Sequence, residues 1–367
     1  MKTIVLCGGG TAGHVMPLVA LIPHLKKTFD KIVYFSSGKE IEQKLMANTG
    51  AEIYKISPPA LKRSLTPKNL LIPFKLSKCV AECKKLLNLL QADVVFSKGG
   101  YCALPVCLAA KKLNIPYFCH ESDLSMGLAN KLTYKHAEKL LTVFPDTAYK
   151  YGGVCVGAPI REDFFNITQK TARTTLGIPS DKPVLLITGG SQGSKTINQA
   201  VAKNFEQLTR DYTVVHLCGK GNKPAYKPEN GYFAYEFADM KTCLAACDFV
   251  LSRGGSNTLF EIIYSRKPAL IAPLKKGSRG DQKKNAEYFC KQGAVKICDE
   301  DELSQGITDL VGNLWRDRNA LIYNMKKIQV KNGTQAAADI VEKYVSERKK
   351  QDFRSKNGRK LKNKFIL

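Results

Sequence analysis

The sequence predicts an α/β protein of two doubly wound domains, each a parallel sheet covered by helices, facing one another across a cleft. Three observations carry this expectation. Short apolar runs alternate with longer amphipathic stretches, the pattern of parallel strands joined by crossover helices. The pattern restarts after Tyr151-Gly152-Gly153-Val154-Cys155-Val156-Gly157-Ala158-Pro159. Both halves also open alike, with a strand, a glycine turn and a helix: Gly8-Gly9-Gly10-Thr11-Ala12-Gly13-His14 in the first and Gly189-Gly190-Ser191-Gln192-Gly193-Ser194 in the second. One such turn is weak evidence; two at corresponding places predict two Rossmann-like domains.

In chain order, Lys2–Cys7, Lys31–Ser36, Val94–Ser97 and Pro116–His120 read as buried strands, each followed by a helical stretch. Val184–Thr188, Thr213–Cys218, Phe249–Ser252 and Ala269–Ala272 supply the second set. The expected boundaries are a first domain over 1–158, a second over 159–333, a helix over 334–345 returning to the first domain, and a basic tail over 346–367. Thr334 is the expected cap of that late helix. The tail holds nine Lys/Arg against two acids and reads as solvated.

Composition limits the function classes. Of 367 residues, 44% are hydrophobic and 24% charged, which supports packed cores and excludes wholesale disorder. No apolar run approaches the roughly 20 residues that span a bilayer, and the first apolar stretch is too short for a secretory signal. A cytoplasmic setting is expected. The formal charge of +25 favours an anionic partner without naming it. The twelve cysteines contain no Cys-x-x-Cys, and most lie in or beside apolar segments, so reduced, buried thiols are expected rather than disulfides or a zinc site.

The polar groups at strand ends are where such folds bind ligands. Glycine turns let backbone N–H groups approach phosphate, and a helix N-terminus adds favourable partial charge. Gly8, Gly10 and Gly13 satisfy the dinucleotide spacing G-x-G-x-x-G, yet the second strand ends in Ser36-Ser37-Gly38-Lys39, without the acid that a dinucleotide site wants. In Ser252-Arg253-Gly254-Gly255-Ser256-Asn257-Thr258-Leu259-Phe260-Glu261, Ser256 is the expected helix cap and Glu261 is placed to accept a ribose diol; the alternative is that Glu261 only complements the helix dipole. Asp281 and Gln282 follow the strand at 269–272 and suit a hydroxyl-rich ligand. Ser97-Lys98-Gly99-Gly100-Tyr101 is another glycine turn, and His120-Glu121-Ser122-Asp123 with Asn130 clusters titratable groups at a strand end. Asp299-Glu300-Asp301 is a literal D-x-D near an expected surface turn. No convincing metal cluster is read, and no cofactor is expected.

These motifs in order, GGGTAGH, SKGGY, HESD with GLANK, GAPIR, GGSQGSKTINQ, SRGGSNTLFEI and GDQKKNA, resemble the MurG family of GT-B glycosyltransferases, from residue 4 to about 340. The resemblance implies a GT-B fold and inverting transfer of N-acetylglucosamine from UDP-N-acetylglucosamine to a lipid-linked muramyl-pentapeptide. It implies that Thr11, Ala12, Gly13, Asp123, Arg161, Ser191, Phe237, Arg253, Glu261, Asp281 and Gln282 meet the donor. Gly8, Gly9, Gly10, Gly99 and Gly100 would cradle the acceptor pyrophosphate. The more familiar family form has two glutamines where Asp281-Gln282 stand, and asparagine where Asp123 stands. For the general base His14 is favoured, because imidazole titrates near neutral pH, with Glu121 and His120 in reserve.

A lipid acceptor requires contact with a bilayer, at the cytoplasmic face of the membrane. Leu70, Leu71, Ile72 and Phe74 lie among Lys62, Arg63, Lys68, Lys75 and Lys78, which fits an anionic interface; an ordinary core helix is the alternative. Two rivals to the transferase stay open at this level: another GT-B enzyme such as a UDP-N-acetylglucosamine 2-epimerase, and a non-catalytic nucleic-acid-binding protein. The second lacks any recognisable RNA-binding signature, so no nucleic acid is expected as partner.

Overall fold

The computed structural model describes residues 1–59, 71–161, 164, 166–179, 181–190, 192–224, 231–275 and 280–362, with side chains described as far as 348. Ser191, Leu70 and the cations Lys62, Arg63 and Lys68 therefore lie outside the described residues. The chain divides into two compact units. One comprises Met1–Glu121, Met126–Pro159 and Asn332–Leu367; the other comprises Ser122–Ser125 and Ile160–Lys331.

The first unit is a seven-stranded parallel sheet of β1 (Thr3–Cys7), β2 (Lys31–Ser36), β3 (Glu52–Lys55), β4 (Val94–Ser97), β5 (Tyr117–Glu121), β6 (Lys139–Thr142) and β7 (Val154–Cys155), in the spatial order 3-2-1-4-5-6-7. β1 is buried throughout because helices cover both faces, and its side chains alternate between two cores. Ile4 and Leu6 pack with Leu18, Leu21 and Leu25 of the helix Ala12–Leu25, whereas Val5 and Cys7 pack with Cys79, Cys83 and Val106. Strand order reverses at β1, where β2 lies on one side and β4 on the other (Leu6 against both Tyr34 and Phe96). Ligands of open α/β sheets bind beyond the carboxyl ends of strands at such a switch point.

The second unit repeats the scheme with β8 (Val184–Thr188), β9 (Thr213–Leu217), β10 (Tyr232–Tyr235), β11 (Phe249–Ser252), β12 (Ala269–Ile271) and β13 (Lys296–Ile297), ordered 10-9-8-11-12-13. Its switch point lies between β8 and β11. The two glycine motifs read from the sequence thus follow β1 and β8, the two strands at which the order reverses.

The structure corrects several local expectations. The last helix spans Gly333–Lys362, so the basic segment after 345 continues as helix to Lys362. Its Lys, Arg, Glu and Gln residues are good helix formers, and no proline interrupts the run, although it includes Gly358. Ala337, Ala338, Val341 and Val345 are buried in the first unit's core, against Leu18 and Leu21. Asn332, not Thr334, supports the start of this helix, accepting from the Thr334 N–H (3.1 Å) and hydroxyl (2.8 Å). The segment 122–125, read as part of the first domain, groups with the second unit. The cysteines are free thiols, ten of them buried, with Cys155 exposed.

Candidate functional site

In the first unit, three strand ends converge. Gly8, Gly9 and Gly10 turn the chain out of β1 into Thr11, Ala12 and Gly13, which open the helix Ala12–Leu25. His14 stands in its first turn, with Nδ1 3.1 Å from the Thr11 hydroxyl. Gly99 and Gly100 follow β4 at φ of +81° and +80°. A Cβ on Gly100 would sit 3.2 Å from the Gly9 carbonyl oxygen and 3.3 Å from His14 Nε2, so only glycine lets this turn lie against the imidazole. Burial, followed by the Lys98 cation, lowers the His14 pKa to about 4, against a smaller opposing pull from Glu42. The ring is neutral at pH 7 and can accept a proton. A bound diphosphate would raise its basicity.

At the end of β5, the buried Glu121 carboxylate accepts from the Gly127 N–H (2.8 Å) and Asn130 Nδ2 (2.9 Å). It thereby orders the turn into the helix Leu128–Thr133. Asn130 Nδ2 also donates to the His120 carbonyl (3.0 Å), while Asn130 Oδ1 and His120 Nδ1 are buried with no hydrogen-bond partner in the protein. Asn130 lies against the Gly99 turn, so its unmet oxygen leaves a hydrogen-bonding group open there. Burial and the Lys98 charge keep His120 neutral, its pKa well below the ordinary histidine value. Lys98, 4% exposed, is a buried cation at this strand end whose charge acts on both His14 and His120, and it was not singled out from the sequence. The signal for it was present: a lysine inside a glycine turn that follows a buried strand.

In the second unit, Gly189 and Gly190 follow β8, and Ser194 caps the helix Lys195–Lys203, accepting from the Ile197 N–H (3.3 Å). Gly193 has φ +73°, and a Cβ there would fall 2.2 Å from the Cys218 carbonyl oxygen, so the turn closes only with glycine. The first N–H groups of this helix are the natural seat for a phosphate. Arg253, at the end of β11, is buried and donates to the Ala272 carbonyl (2.9 Å), the Ser194 hydroxyl (2.5 Å) and the Glu300 carboxylate (2.5 Å). Its guanidinium therefore braces the turn that leads from β8 into the helix Lys195–Lys203. The D-x-D segment is accounted for in the same way. Asp299 and Glu302 form a capping box, and Glu300 is the partner of Arg253, so these residues belong to helix and turn rather than to a metal site.

Glu261 lies on the helix Ser256–Tyr264. Burial raises its pKa from 4.5 to about 7, with Arg161 pulling it down and Asp239 pushing it up. Arg161 bridges to Asp239 at 2.7 Å, and Asp239 caps the helix Met240–Ala246 through Thr242. Phe237 is 51% exposed on the loop after β10, open to a planar base. Ser256 does not cap its helix, as the sequence reading had it; its hydroxyl donates to the Ser122 carbonyl (2.5 Å). Asp281 takes a hydrogen bond from Ser125, and Gln282 Oε1 accepts from the Leu274 N–H (3.0 Å). Asn285 binds Asp123 Oδ1 through its amide nitrogen (2.9 Å) and takes the Leu124 N–H on its oxygen (2.9 Å). Of the donor residues expected, Asp123, Arg161, Phe237, Arg253, Glu261, Asp281 and Gln282 belong to this unit, and Thr11, Ala12 and Gly13 to the first.

Two Rossmann-like sheets, each with a glycine turn at its switch point, give the two-domain α/β architecture of nucleotide-sugar enzymes, and likeness to known proteins places the chain among the glycosyltransferases. Residues 4–142 match the glycosyltransferase family 28 N-terminal domain and residues 184–344 the glycosyltransferase family 28 C-terminal domain, so the chain belongs to that family. The UDP-N-acetylglucosamine--N-acetylmuramyl-(pentapeptide) pyrophosphoryl-undecaprenol N-acetylglucosamine transferase of Clostridium tetani is 38% identical over 353 residues, 94% of this chain and 99% of that protein. The crystal structure of Acinetobacter baumannii MurG has a TM-score of 0.73 at 24% identity, covering 94% of this chain and all of that one. The UDP-GlcNAc 2-epimerase of Neisseria meningitidis shares the fold alone, with a TM-score of 0.63 at 14% identity over 95% of this chain and all of that one.

Proposed function

We propose that this protein transfers N-acetylglucosamine from UDP-N-acetylglucosamine to undecaprenyl-pyrophosphoryl-N-acetylmuramyl-pentapeptide, with inversion at the anomeric carbon. The observation that carries the reading is the likeness to the Clostridium tetani transferase over nearly the full length of both chains. The second unit holds the donor: Glu261 accepts the ribose hydroxyls, Phe237 borders the uracil, and Asp281 and Gln282 face the sugar. The diphosphate rests on the N-terminus of the helix Lys195–Lys203, whose cap Ser194 is braced by Arg253. The first unit holds the acceptor, with its pyrophosphate against the glycine turns and Lys98.

An acceptor hydroxyl attacks the anomeric carbon as its proton passes to His14. The bond from that carbon to the diphosphate oxygen breaks, and the electron pair leaves with UDP. Helix N–H groups meet the charge that develops there without reorganising, which is where electrostatic catalysis gains most. No metal or other cofactor enters this scheme.

The same reading places the enzyme on the cytoplasmic face of the membrane. Among the described residues no helix is long and apolar enough to cross a bilayer. Leu71 is 54% and Phe74 74% exposed at the start of the helix Ile72–Leu89, with Ile72 half-buried and Lys75 and Lys78 exposed beside them. Apolar tips ringed by cations support docking on an anionic leaflet.

The test is transfer of labelled N-acetylglucosamine from its UDP donor to the purified muramyl lipid. Label in the lipid fraction, with UDP released in equal amount only when lipid is present, is the expected result. Conversion of the donor to its 2-epimer without lipid would replace the transferase by an isomerase.

A further inference from the structure

We propose that Glu42 is a positioning residue of the acceptor site: its buried carboxylate locks the glycine turn after β1, and with it the start of the helix that carries His14. The inference rests on the function proposed above. Glu42 lies in the short helix Glu40–Met46 and is fully buried. Its Oε1 accepts from the Gly10 N–H (2.6 Å) and the Ser37 hydroxyl (2.7 Å), and its Oε2 from the Ser37 N–H (2.7 Å) and the Ser36 hydroxyl (2.7 Å). Four donors saturate one carboxylate. Lys39 Nζ donates to the Gly10 carbonyl (3.0 Å), so Gly10 is held at both its N–H and its C=O by one segment, 39–42. Tyr101 closes the clamp from the SKGGY turn, donating to the Ser37 hydroxyl (3.1 Å).

Two consequences follow for the site. The Gly10 N–H is consumed, so an acceptor phosphate must take its donors from other N–H groups and from Lys98. Thr11 and His14 come directly after the clamped residue, and their places depend on it. Glu42 also acts on His14 through its charge, opposing Lys98; these are the two ions that bear on the ring. Charge-assisted bonds of this kind are the strong ones, and a catalytic group displaced by about 1 Å loses on the order of 100-fold in rate.

The experiment uses the full chain with Glu42→Ala, Glu42→Gln and Lys39→Met. Glu42→Ala is expected to lower kcat about 100-fold while the Kd for UDP, whose binding groups lie on the second unit, stays within about twofold by calorimetry. Glu42→Gln keeps an acceptor for the Gly10 N–H and should recover about tenfold of the loss. It should also move the acid limb of the kcat/KM profile to lower pH, because the charge that raises His14 is gone. Lys39→Met, on an exposed side chain, should lower kcat several-fold, and with Glu42→Gln decides the matter if Glu42→Ala fails to fold. Wild-type kcat in these two variants, or equal losses of turnover and UDP binding, overturns the proposal. The His14 ring resonances of the substrate-free protein provide a readout independent of turnover. Displaced signals in Glu42→Gln support the clamp and superimposable ones refute it, even if the wild-type protein transfers nothing to the muramyl lipid and the proposed function falls.

Discussion

Replacing Glu261 by Gln separates what this carboxylate does for the fold from what it does for the ligand. In the free protein, burial holds its pKa at about 7, against 4.5 for an ordinary glutamate. A raised carboxylate pKa means that the folded state binds the proton more tightly than the unfolded chain. Stability from this group is therefore complete below about pH 4.5 and is lost as the pH rises to about 7. At about 1.4 kcal/mol per pH unit, that interval amounts to about 3 kcal/mol by pH 8. Glu261→Gln removes the ionisation, so the variant should match wild type at pH 4.5 and exceed it by up to about 3 kcal/mol at pH 8. Urea unfolding at the two pH values measures this. UDP binding should change the other way. Losing a charged acceptor for two ribose hydroxyls costs about 1.5–3 kcal/mol, on the order of 10- to 100-fold in Kd by calorimetry. Wild-type affinity for UDP should fall as the pH drops below about 7, where the carboxylate takes up its proton. If Glu261→Gln is no more stable at pH 8 and binds UDP as wild type does, the group is neither desolvated nor a ligand, and the reasoning fails.

Three further outcomes are expected. His14→Ala should lower kcat by about 10²- to 10⁴-fold, the range of general base catalysis, with UDP affinity unchanged; normal turnover in a labelled-sugar assay would remove His14 from its role. Gly193→Ala forces a Cβ to within 2.2 Å of the Cys218 carbonyl at a left-handed φ. Displacement of the phosphate turn should weaken UDP binding at least tenfold and lower the melting temperature, by a clash that costs more than about 1 kcal/mol. Phe74→Glu, on an exposed ring, should leave the melting temperature alone yet weaken partitioning onto anionic liposomes by about 30-fold in a flotation assay, since burying a phenylalanine side chain contributes about 2 kcal/mol; unaltered flotation would dismiss this helix start as a membrane contact.

The central strands were legible because parallel sheets covered on both faces bury continuous apolar runs. β2, β4, β8 and β11 lie where Lys31–Ser36, Val94–Ser97, Val184–Thr188 and Phe249–Ser252 were read. The strands not read are β3, β6, β7, β10 and β13, which lie away from the sheet centres. β3 is largely exposed, and β7 and β13 are only two residues long, too short for a run of apolar residues to mark them. The site was legible where a motif must meet backbone geometry, as at Gly100 and Gly193. What stayed hidden was long-range pairing. Nothing near Glu42 announces that, besides its neighbours Ser36 and Ser37, it takes the N–H of Gly10 from a turn 32 residues away, and Glu300 gives no sign that it faces Arg253. Ser256 illustrates the converse: a serine before a helical stretch reads as a cap, yet its hydroxyl is taken by the carbonyl of Ser122, 134 residues earlier.

The last helix carries a consequence for how the molecule is made. The first sheet is complete by Cys155, yet the core on one of its faces includes Ala338, Val341 and Val345. During synthesis that face is covered only in part, by the helix Ala12–Leu25, while some 170 intervening residues emerge, whereas 160–331 needs nothing later in the chain. The half made first must therefore be finished last, and a ribosome that stalls before residue 345 releases a nascent chain with an open seam for chaperones to guard.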